Sequence, residues 1–423
     1  MAAMTHEEAT RIVQAMGEKA RHGADALAGS TDGARAGAIR AMAGAIRRHG
    51  PALLAANDRD LTNLPADYSP AFRDRLTMTP ERLEGVAAGL ERIADLPDPV
   101  GRVLEAWKQP NGLSFKRVSA PIGVVGMIYE SRPNVGPEAA ALCLRAGNAV
   151  LLRGGSDSHH TARAFHEAMV EGLKEAGLSA DMVQVMPTTD RALVGALLQA
   201  SGLVDLIIPR GGKKLVERVL QEARVPVLAH AEGLCHTYVH KDADHDMARS
   251  VLLNAKMRRP GICGATETLL IDEAIAPALL PLLVADLEKA GCTFKADEKA
   301  RDLVPTLPAA REGDFATEWL GPVLSVRVVG GLDEALDHIH RYGSGHTEAI
   351  ITENERAAEK FINGTNSAVV MVNASTQFCD GGEFGFGAEI GIATGKIHAR
   401  GPVGAEQLTC YRYEVRGSGQ VRG

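Results

Sequence analysis

The sequence predicts an α/β protein built on parallel sheets, and two observations indicate this class. Short β-rich runs alternate with helical stretches after residue 118, a pattern typical of consecutive βαβ units. A second series of strands and helices follows at about 240–365, and a length of 423 residues also favours two or three domains. Hydrophobic residues make up 45% and aromatic residues only 4%, so small and aliphatic side chains must build the core.

A helical segment comes first. Apolar residues recur at intervals of three and four from Thr5 to about Leu96, with breaks at 29–33, near Pro51 and at 65–70. The strands predicted for the first α/β unit follow at residues 123–129, 149–153, 183–186, 204–209 and 225–228.

The second unit is expected to begin with a helix over 242–257, which starts at an Asp and ends before Pro260 and Gly261. Its predicted strands at 266–271 and 323–329 lie on either side of a helix at 274–290. The tail after Ile397 is polar and Gly-rich, and residues 411–416 alternate like an edge strand. Exposed edge strands often pair with another subunit.

Charge and cysteine usage exclude several classes of function. A net charge of -7 gives no long-range attraction for nucleic acid. Six cysteines without CxxC spacing predict free thiols in a reducing cytosol, and no spacing of His or Cys predicts a metal site. The sequence shows neither a signal-peptide pattern nor an apolar run of about 20 residues, so we expect a cytoplasmic protein.

Cys263 is the best candidate for a nucleophile. It lies among small residues in a loop that would let a substrate approach closely, although a lone Cys is more often buried packing. The end of the preceding helix disfavours a thiolate there, whereas Lys256, Arg258 and Arg259 favour one. These cations either complement the helix end or anchor a substrate carboxylate or phosphate, and both interpretations stay open.

Asn134 ends a strand-to-loop segment at 121–134, and its amide is a candidate donor to an oxyanion. From the residue types alone, an Asx turn or a helix cap is the commoner use of such a residue.

Two glycine-containing runs follow predicted strands, at the sheet edge where ligands bind in α/β proteins. Backbone N–H groups and cations there suit a phosphate, but such turns are common and neither run is a GxGxxG or Walker motif. The candidate cofactor-binding residues are Arg153, Gly154, Gly155, Ser156, Arg210, Gly211 and Gly212.

Six motifs in this order resemble the aldehyde dehydrogenase superfamily, and within it the reductases that act on L-glutamyl 5-phosphate in proline biosynthesis. The resemblance covers nearly the whole chain. The motifs are PIGVVGMIYESRPN (121–134), GNAVLLRGGS (147–156), DLIIPRGG (205–212), RPGICGATET (259–268), GSGHTEAIIT (343–352) and FGFGAEIGIATGKIHARGP (384–402).

The resemblance implies an aldehyde-dehydrogenase-like fold with a parallel-sheet cofactor domain, an α/β catalytic domain and a small oligomerisation flap. The implied segments are 1–107 and 121–239 for NADP(H) binding, 240–365 for the catalytic domain, 366–396 for a return segment lining the site, and 108–120 with 397–423 for the flap.

The resemblance also implies the chemistry. Cys263 would attack the γ-carbonyl of L-glutamyl 5-phosphate, phosphate would leave, and NADPH would reduce the thioester to glutamate 5-semialdehyde. The oxyanion would be held by the Asn134 amide and the Cys263 backbone N–H. Arg153 is assigned to the 2′-phosphate of the cofactor and Glu318 to the nicotinamide ribose. Substrate contacts are expected from Arg132, Lys256, Arg259 and His346.

Partners implied by the resemblance are a second copy of the chain, as a dimer or tetramer, and a transient contact with glutamate 5-kinase. No nucleic acid, membrane or metal is expected.

Two departures from related patterns bear on the mechanism. His230 stands where aldehyde dehydrogenases carry a general-base Glu. A missing base suits this reaction, because hydrolysis of the thioester would compete with its reduction. Glu232, two residues away, is an alternative base. Gly136 stands where Thr is expected.

Two other functions remain open: an NAD-linked aldehyde dehydrogenase with a working base, and a non-catalytic nucleotide-binding scaffold.

Overall fold

The computed structural model of the protein describes residues 4–422, apart from the side chain of Ala71. The helices, in chain order, are α1 (His6–Ala28), α2 (Asp32–Arg48), α3 (Gly50–Thr62), α4 (Pro70–Leu76), α5 (Pro80–Ala94), α6 (Val135–Arg145), α7 (His159–Glu175), α8 (Arg191–Leu198), α9 (Lys213–Glu222), α10 (His245–Met257), α11 (Ala276–Lys289), α12 (Glu298–Leu303), α13 (Leu332–Tyr342) and α14 (Glu355–Gly364). The strands are β1 (Val103–Lys108), β2 (Ser114–Pro121), β3 (Val124–Tyr129), β4 (Ala149–Arg153), β5 (Val183–Val185), β6 (Leu206–Arg210), β7 (Cys235–Val239), β8 (Thr266–Asp272), β9 (Thr293–Ala296), β10 (Val323–Val329), β11 (Thr347–Ile351), β12 (Val369–Val372), β13 (Ile392–Ala393), β14 (Gly401–Pro402) and β15 (Thr409–Arg416).

The chain forms two compact units, and each contains its own parallel sheet. The first unit comprises residues up to Ala229 together with 385–391 and the segment from Val403 onward. The second comprises 230–384 and 392–402. The predicted α/β class with parallel sheets is confirmed.

The helical start of the chain is organised by caps and breaks that the sequence shows. Thr5 accepts a hydrogen bond from the Glu8 N–H, and the Glu8 carboxylate accepts one from the Thr5 N–H, which together form a capping box for α1. Pro51 and Pro70 lie in the first turns of α3 and α4, where a missing N–H costs nothing. The first three breaks therefore fall where the sequence predicts them, whereas the break at 77–79 between α4 and α5 was not predicted.

The sheet of the first unit has the strand order β5-β4-β3-β6, and all of its neighbours are parallel. The six residues of β3 are buried, as are the five of β4, which is typical of parallel strands covered on both faces. Apolar residues of α1, among them Val13 and Ala20, join Leu151 and Ile207 of the sheet in one buried cluster. The carboxyl ends of β3, β4 and β6 therefore lie along one edge of this sheet.

The predicted strand at 225–228 is wrong. This segment makes only an isolated bridge between Ile207 and Val227, with the Ile207 N–H donating to the Pro226 carbonyl. Proline has no N–H to donate, so it interrupts a ladder.

A separate antiparallel sheet in the first unit places β2 between β1 and β15. It contains most of the segments expected to form the flap, although β1 begins at Val103, before the expected limit of residue 108. Trp107 and Phe115 stack across β1 and β2 with ring centroids 5.3 Å apart. Pairing of this sheet with another subunit stays a prediction.

The sheet of the second unit has six parallel strands in the order β12-β11-β7-β8-β10-β9. Strand β7 lies in its centre, although residues up to 239 were expected in the cofactor domain. The change of unit falls at Ala229, because β7 takes its hydrogen bonds from β8 and β11. Leucines of α11, including Leu279 and Leu283, cover this sheet.

No helix among the described residues is long and apolar enough to span a bilayer.

Candidate active site

Cys263 lies in the loop between α10 and β8, in the second unit. Asp244 starts α10 by accepting a hydrogen bond from the Met247 N–H at 2.7 Å. The helix ends at Met257, three residues before Pro260, which cannot continue it. The loop is therefore fixed at both ends by regular structure, and it presents the thiol at the junction.

The burial of Cys263 sets it apart from the other five cysteines. It is half-buried, and it packs beside the apolar cluster of Val369, Cys379 and Ile392. Cys410 is exposed, and the other four are buried, namely Cys143, Cys235, Cys292 and Cys379. Partial access in a shaped environment suits a reacting thiol better than either extreme.

Two histidines lie beside this thiol. One ligand atom each of His230, Cys263 and His346 lies within 4.8 Å of the others, and we call these three residues the thiol cluster. The two imidazole rings meet edge to face, with centroids 5.2 Å apart. His230 comes from the segment before β7, and His346 directly precedes β11. The arrangement places two proton-accepting groups close to Cys263.

Hydrogen bonds orient both rings. His230 Nδ1 lies 2.6 Å from the Ile392 carbonyl oxygen, which can only accept, so this nitrogen carries the proton and Nε2 carries the lone pair. His346 Nδ1 lies 2.9 Å from Thr347 Oγ1 and 3.5 Å from Cys235 Sγ. The Cys235 thiol in turn donates to the Cys263 carbonyl oxygen at 3.0 Å. These contacts connect His346 to the backbone of Cys263.

Gly233 brings a second segment against the loop that carries Cys263. It is buried, and a Cβ atom there would overlap the Cys263 carbonyl group, so only glycine permits this approach. The Gly233 N–H donates to Glu318 Oε1 at 2.8 Å. The structure therefore links Glu318 to the segment that packs directly on Cys263.

Lys256 does not face a substrate, in contrast to the sequence prediction. Its side chain is 0% exposed, and Nζ donates to Glu267 Oε2 at 2.5 Å. Burial raises the pKa of the Glu267 carboxyl to about 7 even with this cation beside it. The other oxygen, Oε1, accepts from the Leu320 N–H at 3.2 Å. Lys256 therefore supports the loop that carries Glu318 rather than binding a ligand.

Arg259, by contrast, is exposed, and so is Arg258. The Gln377 amide donates to the Arg259 carbonyl oxygen at 3.3 Å and to that of Ala255 at 3.0 Å, which ties this part of the loop to the end of α10. The role of Arg259 as an anchor for substrate stays a prediction.

In the first unit, the register of the sheet brings two candidate cations to one edge. Ile128 pairs with Arg153, and Tyr129 pairs with Arg210. The glycine-containing turns after β4 and β6 therefore lie on the two sides of the loop that follows β3. This confirms the expectation that both runs end at the carboxyl edge of a parallel sheet.

Arg153 is buried at this edge, with 8% of its surface exposed. Its Nη2 donates to the Thr189 carbonyl oxygen at 2.8 Å, and its Nε has no hydrogen-bond partner among the described residues. Burial lowers the pKa of this guanidinium. A buried cation with an unused donor has capacity for an anionic group of a ligand. The following residues differ in access, since Gly155 is buried and Ser156 is exposed.

The turn after β6 holds one of the chain's own carboxylates. Glu130 Oε2 accepts from the Gly212 N–H at 3.3 Å, at the start of α9. A Cβ atom on Gly211 would lie 2.6 Å from the same oxygen. The turn is therefore built to accept an anion, as the sequence predicts, and Glu130 makes that contact in this structure.

Asn134 precedes α6, but its side chain does not cap the helix. Its Nδ2 donates instead to Glu138 Oε1, one turn further on, at 3.1 Å. Burial raises the pKa of the Glu138 carboxyl. An amide nitrogen has two protons, and this bond orients the group while using one of them. Arg132, two residues earlier, is exposed.

A close contact in the first turn of α6 explains why residue 136 is a glycine. A Cβ atom there would lie 2.7 Å from the hydroxyl oxygen of Tyr129, which is buried at the end of β3. The departure from the expected Thr thus accompanies a close approach of helix and strand.

Several of these residues escaped sequence reasoning. The thiol cluster joins residues 33 and 83 positions from Cys263, and no local spacing announces it. Glu267 is four residues beyond Cys263, in a strand, and only the fold shows that it pairs with Lys256. The contact of Glu130 with the turn after β6 was also missed, and its position directly after a predicted strand was the signal that could have indicated it.

Comparison with known proteins shows which family this chain belongs to. The sequence model of the aldehyde dehydrogenase family matches residues 1–311. The γ-glutamyl phosphate reductase of Gluconobacter oxydans is 66% identical, over 98% of this chain and 97% of that protein. That of Acidiphilium cryptum is 61% identical, over 98% of each. The crystal structure of the γ-glutamyl phosphate reductase from Thermotoga maritima matches with a TM-score of 0.95 at 41% identity, covering 97% of this chain and 100% of that one.

The two parallel-sheet units and the cysteine loop thus define an oxidoreductase of the aldehyde dehydrogenase type, a class that implies a nicotinamide cofactor. Within that class, the chain belongs to the γ-glutamyl phosphate reductase family.

Proposed function

We propose that the protein reduces L-glutamyl 5-phosphate to L-glutamate 5-semialdehyde and phosphate, with NADPH as reductant and a thioester on Cys263 as intermediate. The observation that carries the proposal is the half-buried Cys263 beside His230 and His346, in a chain 66% identical to a named γ-glutamyl phosphate reductase.

In the proposed reaction, Cys263 Sγ attacks the γ-carbonyl carbon, and the carbon–oxygen bond to phosphate breaks with its electrons leaving on the phosphate. A lone pair on the Nε2 of His230 gives the thiol proton a nearby acceptor, because Nδ1 is held as a donor by the Ile392 carbonyl. The bound nicotinamide cofactor supplies the hydride that reduces the thioester.

The residues present at the edge of the first sheet fit a phosphorylated cofactor. Arg153 offers the unused buried Nε described above, and the Gly212 N–H at the start of α9 is an anion donor. We assign Arg153 to the 2′-phosphate, and Gly154, Gly155, Ser156, Arg210, Gly211 and Gly212 to the cofactor as a group. Glu318 is assigned to the nicotinamide ribose, and its bond to Gly233 orients that side chain.

The remaining roles rest on the family resemblance. Asn134 is proposed as an amide donor to the oxyanion, with Glu138 orienting it, and loss of one such donor typically costs about 100- to 1000-fold in rate. Arg132 and Arg259, both exposed, are proposed to contact the substrate, whereas the expected contact from His346 is not proposed because its side chain is 0% exposed. Assembly as a dimer or tetramer, transient contact with glutamate 5-kinase, and a cytoplasmic location also stay predictions.

A hydrolytic aldehyde dehydrogenase is the second candidate, because an imidazole beside the thiol is also a base for activating water. The assay that separates the two follows NADP⁺ reduction with glutamate 5-semialdehyde, with and without phosphate, for the wild type and Cys263→Ala. We expect activity that requires phosphate and disappears in the variant. Activity that ignores phosphate would establish the hydrolytic enzyme instead.

A further inference from the structure

We propose that the thiol cluster is also a binding site for Zn²⁺, and that the bound ion reversibly blocks the nucleophile. The three side chains supply one sulfur and two imidazole nitrogens, which are the ligands that Zn²⁺ prefers in proteins. The sequence predicts no metal site, because the three residues are far apart along the chain.

The geometry requires only a small contraction. The three ligand atoms lie within 4.8 Å of one another. Bond lengths of about 2.0 Å to nitrogen and about 2.3 Å to sulfur place neighbouring ligands of a tetrahedral zinc about 3.5 Å apart. Side-chain rotations that close the widest separation by about 1 Å are sufficient.

The outer contacts of the histidines are those of metal-binding imidazoles. Ligating histidines usually donate their second ring nitrogen to a carbonyl, a carboxylate or another polar group, which fixes the tautomer. His230 Nδ1 does so to the Ile392 carbonyl at 2.6 Å. His346 Nδ1 has Thr347 Oγ1 at 2.9 Å. The Ile392 carbonyl thereby leaves Nε2 as the ligand atom of His230, and the contact to Thr347 holds the His346 ring through Nδ1.

Three protein ligands leave one position of the tetrahedron for water, and Cys263 is half-buried, so the ion can enter and leave. On binding, the sulfur–hydrogen bond of Cys263 breaks, a zinc–sulfur bond forms, and one proton passes to solvent. Coordination withdraws charge from the sulfur and places the metal on its accessible side, so the thiolate attacks a carbonyl more slowly than the free thiolate. This inhibitory consequence rests on the proposed function, whereas the binding itself does not.

The first test uses Co²⁺ as a spectroscopic probe on the full-length, reduced protein. Co²⁺ bound by a thiolate gives a sulfur-to-metal charge-transfer band, and tetrahedral Co²⁺ gives intense visible bands. We expect both in the wild type and in the matched controls Cys410→Ser and His245→Ala, whose side chains are exposed and outside the cluster. We expect loss of the charge-transfer band in Cys263→Ser, and loss of the tetrahedral bands in His230→Ala and His346→Ala.

The second test needs no variant. Alkylation of each cysteine by iodoacetamide is followed by peptide mass spectrometry at increasing free Zn²⁺. Protection of Cys263 should reach about tenfold when Zn²⁺ is about ten times its Kd, with reversal by EDTA and no protection of Cys410. Equal alkylation rates of Cys263 with and without Zn²⁺, or a charge-transfer band that survives Cys263→Ser, would overturn the proposal.

These readouts separate the metal site from the enzyme activity. If Cys263 is protected but the protein shows no reductase activity, the proposed function fails and the zinc site stands. If the reductase is active and Zn²⁺ protects nothing, the zinc site fails alone.

Discussion

Two buried cations, one in each unit, show how the chain uses the same chemistry for different ends. Lys256 of the second unit donates to the Glu267 carboxylate at 2.5 Å, and both side chains are almost inaccessible. Arg153 of the first unit is also buried, but its contact is a neutral carbonyl, that of Thr189, and it forms no ion pair within the part of the chain that the structure describes.

This difference in partners indicates which of the two cations is available to a ligand. An ammonium neutralised inside the core has no capacity left, and its removal leaves a buried carboxylate without its partner. Burial has removed hydration from the Arg153 guanidinium, whose Nη2 contacts only a neutral carbonyl, while Glu130 and Asp157 act on it from beyond ion-pair distance. An anion from a ligand in direct contact would therefore stabilise it. We therefore expect Lys256 to govern stability and Arg153 to govern cofactor binding.

The largest expected effect is on stability. Lys256→Met should lower the free energy of unfolding by about 3 to 5 kcal/mol, because it leaves Glu267 buried without a cation. The double variant Lys256→Met with Glu267→Gln should recover most of this loss, since a neutral amide replaces the carboxylate. Urea unfolding measures both. A single variant as stable as the wild type would show that the pair is not a structural element.

A steric test at the edge of the first sheet should have the next largest effect. Gly136→Ala places a methyl group 2.7 Å from the Tyr129 hydroxyl oxygen and should cost about 1 to 3 kcal/mol. Gly195→Ala is the matched control, because no atom outside the backbone of its own helix and its chain neighbours lies within 4 Å of a Cβ at that position of α8. Adding Tyr129→Phe should relieve part of the cost in the double variant. Equal melting temperatures for the two alanine variants would contradict the close approach.

Arg153→Leu should change cofactor binding more than stability. One hydrogen bond to a carbonyl contributes about 1 kcal/mol, so unfolding should shift little. Loss of a charge-assisted contact to the 2′-phosphate should raise the KM for NADPH by about tenfold while leaving that for NADH nearly unchanged. Steady-state kinetics with both cofactors decides this, and an unchanged KM for NADPH ends the assignment of Arg153.

The same buried carboxyl predicts a pH dependence of stability. Burial raises the pKa of Glu267 in the folded protein to about 7, above its ordinary value, so the folded state favours the protonated acid. The stability present below the ordinary carboxyl pKa is lost as pH rises through about 7. Glu267→Gln should flatten this part of the profile of unfolding free energy against pH. A profile identical to that of the wild type would remove Glu267 as its source.

Sequence reasoning was reliable where the signal is local. Strands β4 and β10 have the predicted limits, and α10 has the predicted end at Met257, because hydrophobic runs and helix-breaking residues decide such elements. Its start is three residues later than predicted, because Asp244 rather than Asp242 caps the helix. It failed where hydrogen-bond partners decide. Strand β7 has the same texture as the strands of the first sheet, and only its pairing with β8 and β11 assigns it to the second.

The same distinction holds for the site. The position of Cys263 in a loop could be predicted, since Pro260 and Gly261 end the helix before it. The direction of Lys256 could not, because one turn of a helix offers both a buried and an exposed face. His230 was noted as a missing carboxylate base, yet its place beside the thiol depends on a fold that joins distant segments.

The central claim is that Cys263 carries the acyl group as a thioester. The most direct measurement incubates the protein with glutamate 5-semialdehyde and NADP⁺ without phosphate, quenches it in acid, and maps the mass of the Cys263 peptide. We predict a glutamyl adduct on Cys263 that disappears when phosphate is added. An unmodified Cys263 in a protein that still reduces NADP⁺, or an adduct on another residue, would contradict the account.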